Sequence, residues 1–134
     1  TLRQVGNEFG ATTGRPRRCG WLDLVALKYA VMMNGVTALI MMKSDILNDF
    51  DTIKVAVGYQ VGDQQVDYFP YEADDSIVPI YREFAGWNCD ICNVRNYDEF
   101  PQQFKDYVAF IEAECGVPVK IISVGPDREE TIIR

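Results

Sequence analysis

The sequence predicts an α/β fold built on a mostly parallel sheet with flanking helices and a β-hairpin. Three observations carry that expectation. Twice, a stretch with apolar residues at helical spacing passes through a glycine into a short apolar run of strand length. Each of those runs ends in a polar motif, Lys43-Ser44-Asp45 after the first and Ser123-Val124-Gly125-Pro126 after the second, and open α/β sheets bind ligands at such strand ends. Between the two units, Gly62-Asp63 separates two β-rich runs in the manner of a hairpin turn.

With 134 residues, 48% apolar and 25% charged, the chain suffices for one domain with one core. Residues 22–33 place Leu22, Val25, Ala26, Tyr29, Ala30 and Met33 on one helical face, and Asn34-Gly35 supplies the stop. Residues 36–42 lack polar alternation and read as a strand buried on both faces. Residues 52–61 and 65–71 form the hairpin, with Val55, Val57 and Tyr59 alternating with Ala56 and Gly58, and Pro70 ends the second strand or sets it at an edge. Glu72, Asp74 and Asp75 read as a solvated acidic turn rather than a magnesium site. From 78 to 97, Pro79, Gly86 and Asn88 interrupt the pattern, which supports only a packed loop or short strand with Trp87 in the core.

Helical spacing returns at Phe100, Phe104, Tyr107, Val108, Ile111 and Cys115, with Asp98 and Glu99 near the start, Pro101 in the first turn and Gly116 at the close. Residues 119–124 are a strand, Asp127 to Glu130 a charged turn, and Thr131-Ile132-Ile133 a last strand. Because each motif-bearing strand follows a helix, both motifs are expected on one edge of the same sheet.

The formal charge of −7 is uneven: the first twenty residues carry +3 and the remainder −10. One basic segment in an acidic protein suits a local anionic ligand and argues against nucleic acid, which calls for a basic stripe. No apolar run reaches the length of a membrane span, and no amino-terminal signal pattern is present. Of the four cysteines only Cys89 and Cys92 form a Cys-x-x-Cys pair, and there is no histidine, so reduced thiols without a metal site are expected.

The basic segment, Phe9 to Trp21, reads as an anion-binding loop. Arg15, Arg17 and Arg18 offer guanidinium forks that match carboxylate and phosphate oxygens, Thr12 and Thr13 add donors, and Gly10 and Gly14 let the backbone turn tightly. At Lys43-Ser44-Asp45, an ionised Asp45 can accept two parallel hydrogen bonds from the N1–H and amine of guanine, whereas adenine would present a lone pair to it. Lys43 can lay its stem along the base. Ser123 and the backbone around Gly125 can donate to the guanine oxygen, and Pro126 stiffens their loop. A solvated basic loop, a surface ion pair and an ordinary strand exit fit the same residues taken one at a time.

Taken together, the run GNEFGATTGRPRRCGW, then Lys43-Ser44-Asp45, then Ser123 to Arg128, resembles the C-terminal part of adenylosuccinate synthetases. The likeness runs in order through the whole chain and covers the last third or so of such an enzyme, so the natural chain, which here opens on Thr1, is expected to begin upstream. The resemblance implies a P-loop NTPase-like synthetase, cytoplasmic and homodimeric. Such an enzyme uses GTP and Mg2+ to phosphorylate the 6-oxygen of IMP and lets L-aspartate displace the phosphate. On the matching positions it implies that Thr12, Thr13, Gly14 and Arg15 hold aspartate, with Arg15 also touching the IMP ribose. Arg17 would reach towards GTP, and Lys43, Asp45, Ser123, Gly125 and Pro126 would surround the guanine.

The family's phosphate loop, Mg2+ site, catalytic aspartate and catalytic histidine are expected upstream. None of the five lysines here follows a glycine, and histidine is absent. The chain is therefore expected to hold no catalytic residue and to be inactive alone, with apolar sheet surface left uncovered. The alternative is a non-catalytic guanine-nucleotide- or carboxylate-binding module.

Overall fold

The computed structural model describes residues 1–71 and 74–134. A short helix, α1 (Leu2–Val5), is followed by the strand β1 (Leu22–Asp23), the helix α2 (Leu24–Asn34) and the strand β2 (Leu39–Met41). Then come β3 (Thr52–Val61), β4 (Gln64–Val66), β5 (Val78–Ala85), α3 (Gln102–Cys115), β6 (Val119–Ser123) and β7 (Thr131–Ile133). The strands make two sheets. In the first, β3 is central: β5 runs antiparallel along one side, while β1, parallel, and β4, antiparallel, share the other. In the second, β2 pairs parallel with β6, and β7 runs antiparallel beyond it.

The mostly parallel sheet is thus corrected to two mixed sheets. Parallel pairing needs a long crossover, and successive strands here turn back too soon for one. Val61 pairs with Gln64 across a two-residue turn in which Gly62 takes a φ of 57°, the left-handed conformation that a tight hairpin demands. The expected edge does exist: β2 and β6 are adjacent and parallel, so their carboxyl ends lie side by side.

One core joins both sheets. The buried face of α3, Phe104, Tyr107, Val108 and Ile111, meets Ile53 and Val55 from β3 and Val119 and Ile122 from β6. Helical periodicity at Phe104 to Ile111 was legible because it faces packing on two sides. Phe100 stacks on Phe104 with ring centroids 4.1 Å apart, and Trp87 meets Phe104 edge-on at 4.9 Å. The Trp87 indole N–H is not left unpaired: it donates to Asn48 Oδ1 at 3.1 Å. Gly116 ends α3 with a φ of 68°, its N–H donating to the Glu112 carbonyl.

The helix expected at 22–33 begins two residues later, because Leu22 and Asp23 are drawn into pairing with Val55 and Ala56. Asp23 caps it, accepting the Ala26 N–H on Oδ1 and the Tyr59 hydroxyl on Oδ2. Only Leu24 and Val25 are buried, and Tyr29 and Met33 are exposed, so the apolar stripe is not covered along its length. The strand expected at 36–42 shortens to β2 and is not buried on both faces: Ile40 is 62% and Met42 71% exposed. It lies at the edge of its sheet rather than at the centre.

A bulge at Val57 falls between the Ala56–Tyr81 and Gly58–Ile80 pairs, and Ile53, Val55, Ala56 and Tyr59 of this strand are buried. The second hairpin strand ends at Val66, well short of the expected 71. Conversely, the region read as loop or short strand contains β5, eight residues long. It is an edge strand, where Pro79 is tolerated opposite Tyr59 and Glu83 pairs with Lys54 at 2.8 Å. Of the acidic turn, Asp74 accepts from the Ser76 backbone and hydroxyl, while Glu72 lies outside the described residues.

After β5 the chain passes so close to Phe50 that a Cβ on Gly86 would fall 1.6 Å from the Phe50 carbonyl oxygen, while the Gly86 N–H donates to Asp51 O at 2.8 Å. Both obstacles are backbone and cannot swing aside. Gly86→Ala is expected to lower unfolding free energy by about 3 kcal/mol in urea titration, and a loss below about 1 kcal/mol would show that this crossing can open.

Candidate functional site

The parallel pair β2–β6 sets two exits next to each other. After Met41 the chain turns sharply at Lys43, which adopts φ 57° and ψ 41°, a left-handed backbone that costs free energy in a residue with a side chain. That turn launches a single 3-10 turn, Ser44–Leu47. The neighbouring exit from β6 folds back on itself: the Ser123 hydroxyl donates to the Gly125 carbonyl at 2.9 Å, and the Val124 N–H to Glu130 O. Asp127 and Glu130 cap each other's backbone around the next turn, with the Asp127 N–H on Glu130 Oε2 at 2.8 Å.

Between the two exits lies a cleft of about 870 Å³. Its walls bring together Lys43, Asp45, Ser123, Gly125 and Pro126, the five residues expected around the guanine, but not Arg17, which is also expected to reach GTP. Asp45 Oδ1 is cut off from solvent and has no hydrogen-bond partner in the protein. A buried acceptor without a partner is costly, and a small change in the Asp45 rotamer would open it to a donor. Ser123 has a single hydroxyl hydrogen, which here goes to Gly125 O and would have to rotate to serve a base oxygen.

The basic loop is a small hairpin. Phe9 and Pro16 form an antiparallel bridge, the Gly10 N–H donates to Arg15 O and the Gly14 N–H to Gly10 O, each at 2.8 Å. Gly14, at φ 63°, completes the tip. Thr12, Thr13, Gly14 and Arg15 are exposed there and do not line the cleft. Thr13 Oγ1 accepts the Arg15 N–H at 3.3 Å, which leaves its own hydrogen available. Arg17 faces a second, largely apolar hollow of about 530 Å³, whose wall includes Trp21, Phe104 and Ser44. Ser44 is only 3% exposed, and its hydroxyl also lacks a partner.

Sequence reasoning passed over Glu8. Its carboxylate receives Arg17 Nη1 at 2.9 Å and Lys43 Nζ at 2.5 Å, and these two donors hold it below the ordinary carboxyl range. A signal existed: it is the sole acid among four arginines in the first twenty residues. The Cys-x-x-Cys pair has no such environment. Burial and the neighbouring Asp90 push the Cys92 thiol up to about 11, and all four cysteines are free. Among the described residues no three acidic, cysteine or histidine side chains converge, and no helix is long and apolar enough to cross a membrane.

A sequence model described as adenylosuccinate synthetase matches residues 1–132. The chain belongs to the adenylosuccinate synthetase family. It is 61% identical over 133 residues to the adenylosuccinate synthetase of Parabacteroides distasonis, covering 99% of this chain and 31% of that protein. The Flavobacterium psychrophilum synthetase is 55% identical over 135 residues, covering 32% of its length. Among solved structures, the fully ligated adenylosuccinate synthetase of Plasmodium falciparum superposes with a TM-score of 0.92 at 33% identity, over 99% of this chain and 33% of that one. The chain thus spans about a third of the synthetases it matches.

In this family member the cleft wall beyond β6 depends on Glu130, which ties Asp127 and lies so close to Gly125 that an added Cβ would fall 2.2 Å from its Oε2. Glu130→Ala removes the cap and is expected to lower stability by about 1 kcal/mol. Hydrogen exchange should show faster exchange of the Asp127 amide with no change in α3; an unaltered Asp127 amide would show that Pro126 alone sets the turn.

Proposed function

We propose that this chain is the guanine-recognising and acid-binding part of an adenylosuccinate synthetase, an enzyme that joins IMP and L-aspartate at the expense of GTP. The observation that carries the reading is the cleft between β2 and β6, whose wall brings Asp45 together with Lys43, Ser123, Gly125 and Pro126. Guanine offers two N–H groups on one edge to such a carboxylate, and adenine does not. The Lys43 ammonium is already held by Gly6 O at 2.6 Å and by Glu8, so its stem, not its charge, is what it lends to a base. Gly125 and Pro126 then close the cleft from the β6 side.

Thr12, Thr13, Gly14 and Arg15 are the proposed aspartate contacts, with Arg15 shared with the IMP ribose. What supports this is their exposure at the tip of a hairpin whose Arg17 is paired with Glu8, and Glu8 in turn with Lys43 of the cleft wall. Arg17, on the apolar side of that anchor, is proposed to face the GTP. Family members use Mg2+; among the described residues no three acidic, cysteine or histidine side chains converge, and no step is assigned to them through the metal. The chain's own contribution is binding: it selects the base and holds a carboxylate. The P-loop-like phosphate site, the acid–base residues, the homodimer contact and the cytoplasmic setting are proposed for the parent protein on the family likeness.

Guanine recognition is tested by thermal unfolding with nucleoside diphosphates. GDP at about a hundredfold excess over its Kd is expected to raise Tm by about 10 °C, ADP not to, and Asp45→Asn to abolish the rise. An equal rise with ADP, or a GDP effect that survives Asp45→Asn, overturns the reading. The division of labour is tested by incubating the chain with IMP, GTP, Mg2+ and aspartate: no adenylosuccinate is expected, since phosphoryl transfer depends on positioned phosphates and metal. Its formation would place catalytic groups within these residues.

A further inference from the structure

Glu8 stands where the hairpin loop and the base cleft meet. On one side its two carboxylate oxygens take different cations, Oε1 the Lys43 ammonium and Oε2 the Arg17 guanidinium. On the other, its carbonyl accepts the Arg17 N–H at 3.0 Å, and the Arg17 carbonyl in turn accepts Arg3 Nε at 2.7 Å. Lys43 adds a second tie across the same junction by donating to Gly6 O at 2.6 Å. The segment 6–8 is thus bound to the loop through Arg17 and to the β2 exit through Lys43. The internal bonds of the hairpin, Gly10 to Arg15 and Gly14 to Gly10, involve neither residue.

We propose that Glu8 is a positioning residue that sets the hairpin 9–16 in fixed register against the Lys43–Asp45 turn, so that filling the base cleft also orders the acid-binding loop. The identity of the ligands rests on the function proposed above, whereas the mechanical link between loop and cleft does not. Two cations converge on one carboxylate, so a negative charge with two acceptor oxygens is required. Glutamine at position 8 keeps the size but offers one acceptor oxygen, and its amide N–H₂ would face a cation. Glu8→Gln therefore breaks one tie while leaving the hairpin's own bonds and both sheets in place.

The test uses the 134-residue chain, wild type and Glu8→Gln, with trypsin cleavage after Arg17 and Arg18 followed with and without GDP, and GDP affinity measured by calorimetry. Wild type is expected to be cut slowly, and more slowly with GDP. Glu8→Gln should still unfold cooperatively, yet be cut about tenfold faster, bind GDP about tenfold more weakly and lose the protection by GDP. Glu8→Asp, which restores the charge on a shorter stem, should recover part of each effect, as a mere packing role would not. Cleavage and affinity within twofold of wild type overturn the proposal. If wild type fails to bind GDP, the guanine reading fails, and the nucleotide-free cleavage rates still decide for or against Glu8. If Glu8→Gln does not fold, Lys43→Met removes the opposite partner: faster cleavage after Arg17 supports the link, and unchanged cleavage refutes it.

Discussion

Three register pairs, Leu39 with Val119, Ile40 with Ile121 and Met41 with Ile122, are the constraint on which the rest of the structure depends. They are parallel, and a parallel pair cannot be closed by a short turn. Everything from the β2 exit to the start of β6 is therefore connection: β3, β4, β5 and α3 all lie inside it. The antiparallel sheet is built within that crossover, and α3 returns the chain by packing one apolar face on Ile53 and Val55 of that sheet and on Val119 and Ile122 of the other. The reward for this long route is local. Two strand ends that are about eighty residues apart in sequence are brought side by side, and with them the turn at Lys43 and the turn at Gly125.

The pairing is satisfied on only one side. Ile40 of β2 and Met42 just after it stand open, and Tyr29, Met32 and Met33 on the second half of α2 are exposed as well. The chain spans about a third of the synthetases it matches. Two unpartnered polar atoms lie at the turn that follows β2. Ser44 and Asp45 are consecutive, and one faces the apolar hollow while the other faces the cleft. A 3-10 turn directs successive side chains apart, and this one sends them to the two sides of β2.

How much of this was legible follows from where the packing lies. The periodicity of Phe104, Tyr107, Val108 and Ile111 could be read because α3 is buried against two sheets, and the two ligand motifs could be placed together because each closes a helix-to-strand unit. The burial of Tyr29, Met33 and Ile40 was misjudged because apolarity records what a surface must meet in the whole protein, not what this chain supplies. The strand β5 was hidden because an edge tolerates Pro79 and answers Glu83 with Lys54, so that its residues carry no alternating pattern. Glu8 escaped notice for a different reason. Its role depends on Lys43, 35 residues away, and spacing within a segment cannot express a contact between segments.

The division between recognition and chemistry also has a physical basis. Reading a base requires a few groups fixed at one edge of a planar ring, and strand ends tied by neighbouring turns provide that rigidity. Here it comes from the left-handed Lys43, the Ser123–Gly125 bond and the Asp127–Glu130 box, all of them local to the two exits. Phosphoryl transfer requires instead that charge developing on phosphate oxygens meet a metal and backbone donors at one point, and such a set must be assembled from other elements. On the proposed reading, the hairpin with Thr12, Thr13 and Arg15 is the part of this chain that must face both tasks, since the acid it holds has to reach the base that is being altered. Its attachment at the root through a few hydrogen bonds and the Glu8 ion pairs leaves the tip exposed.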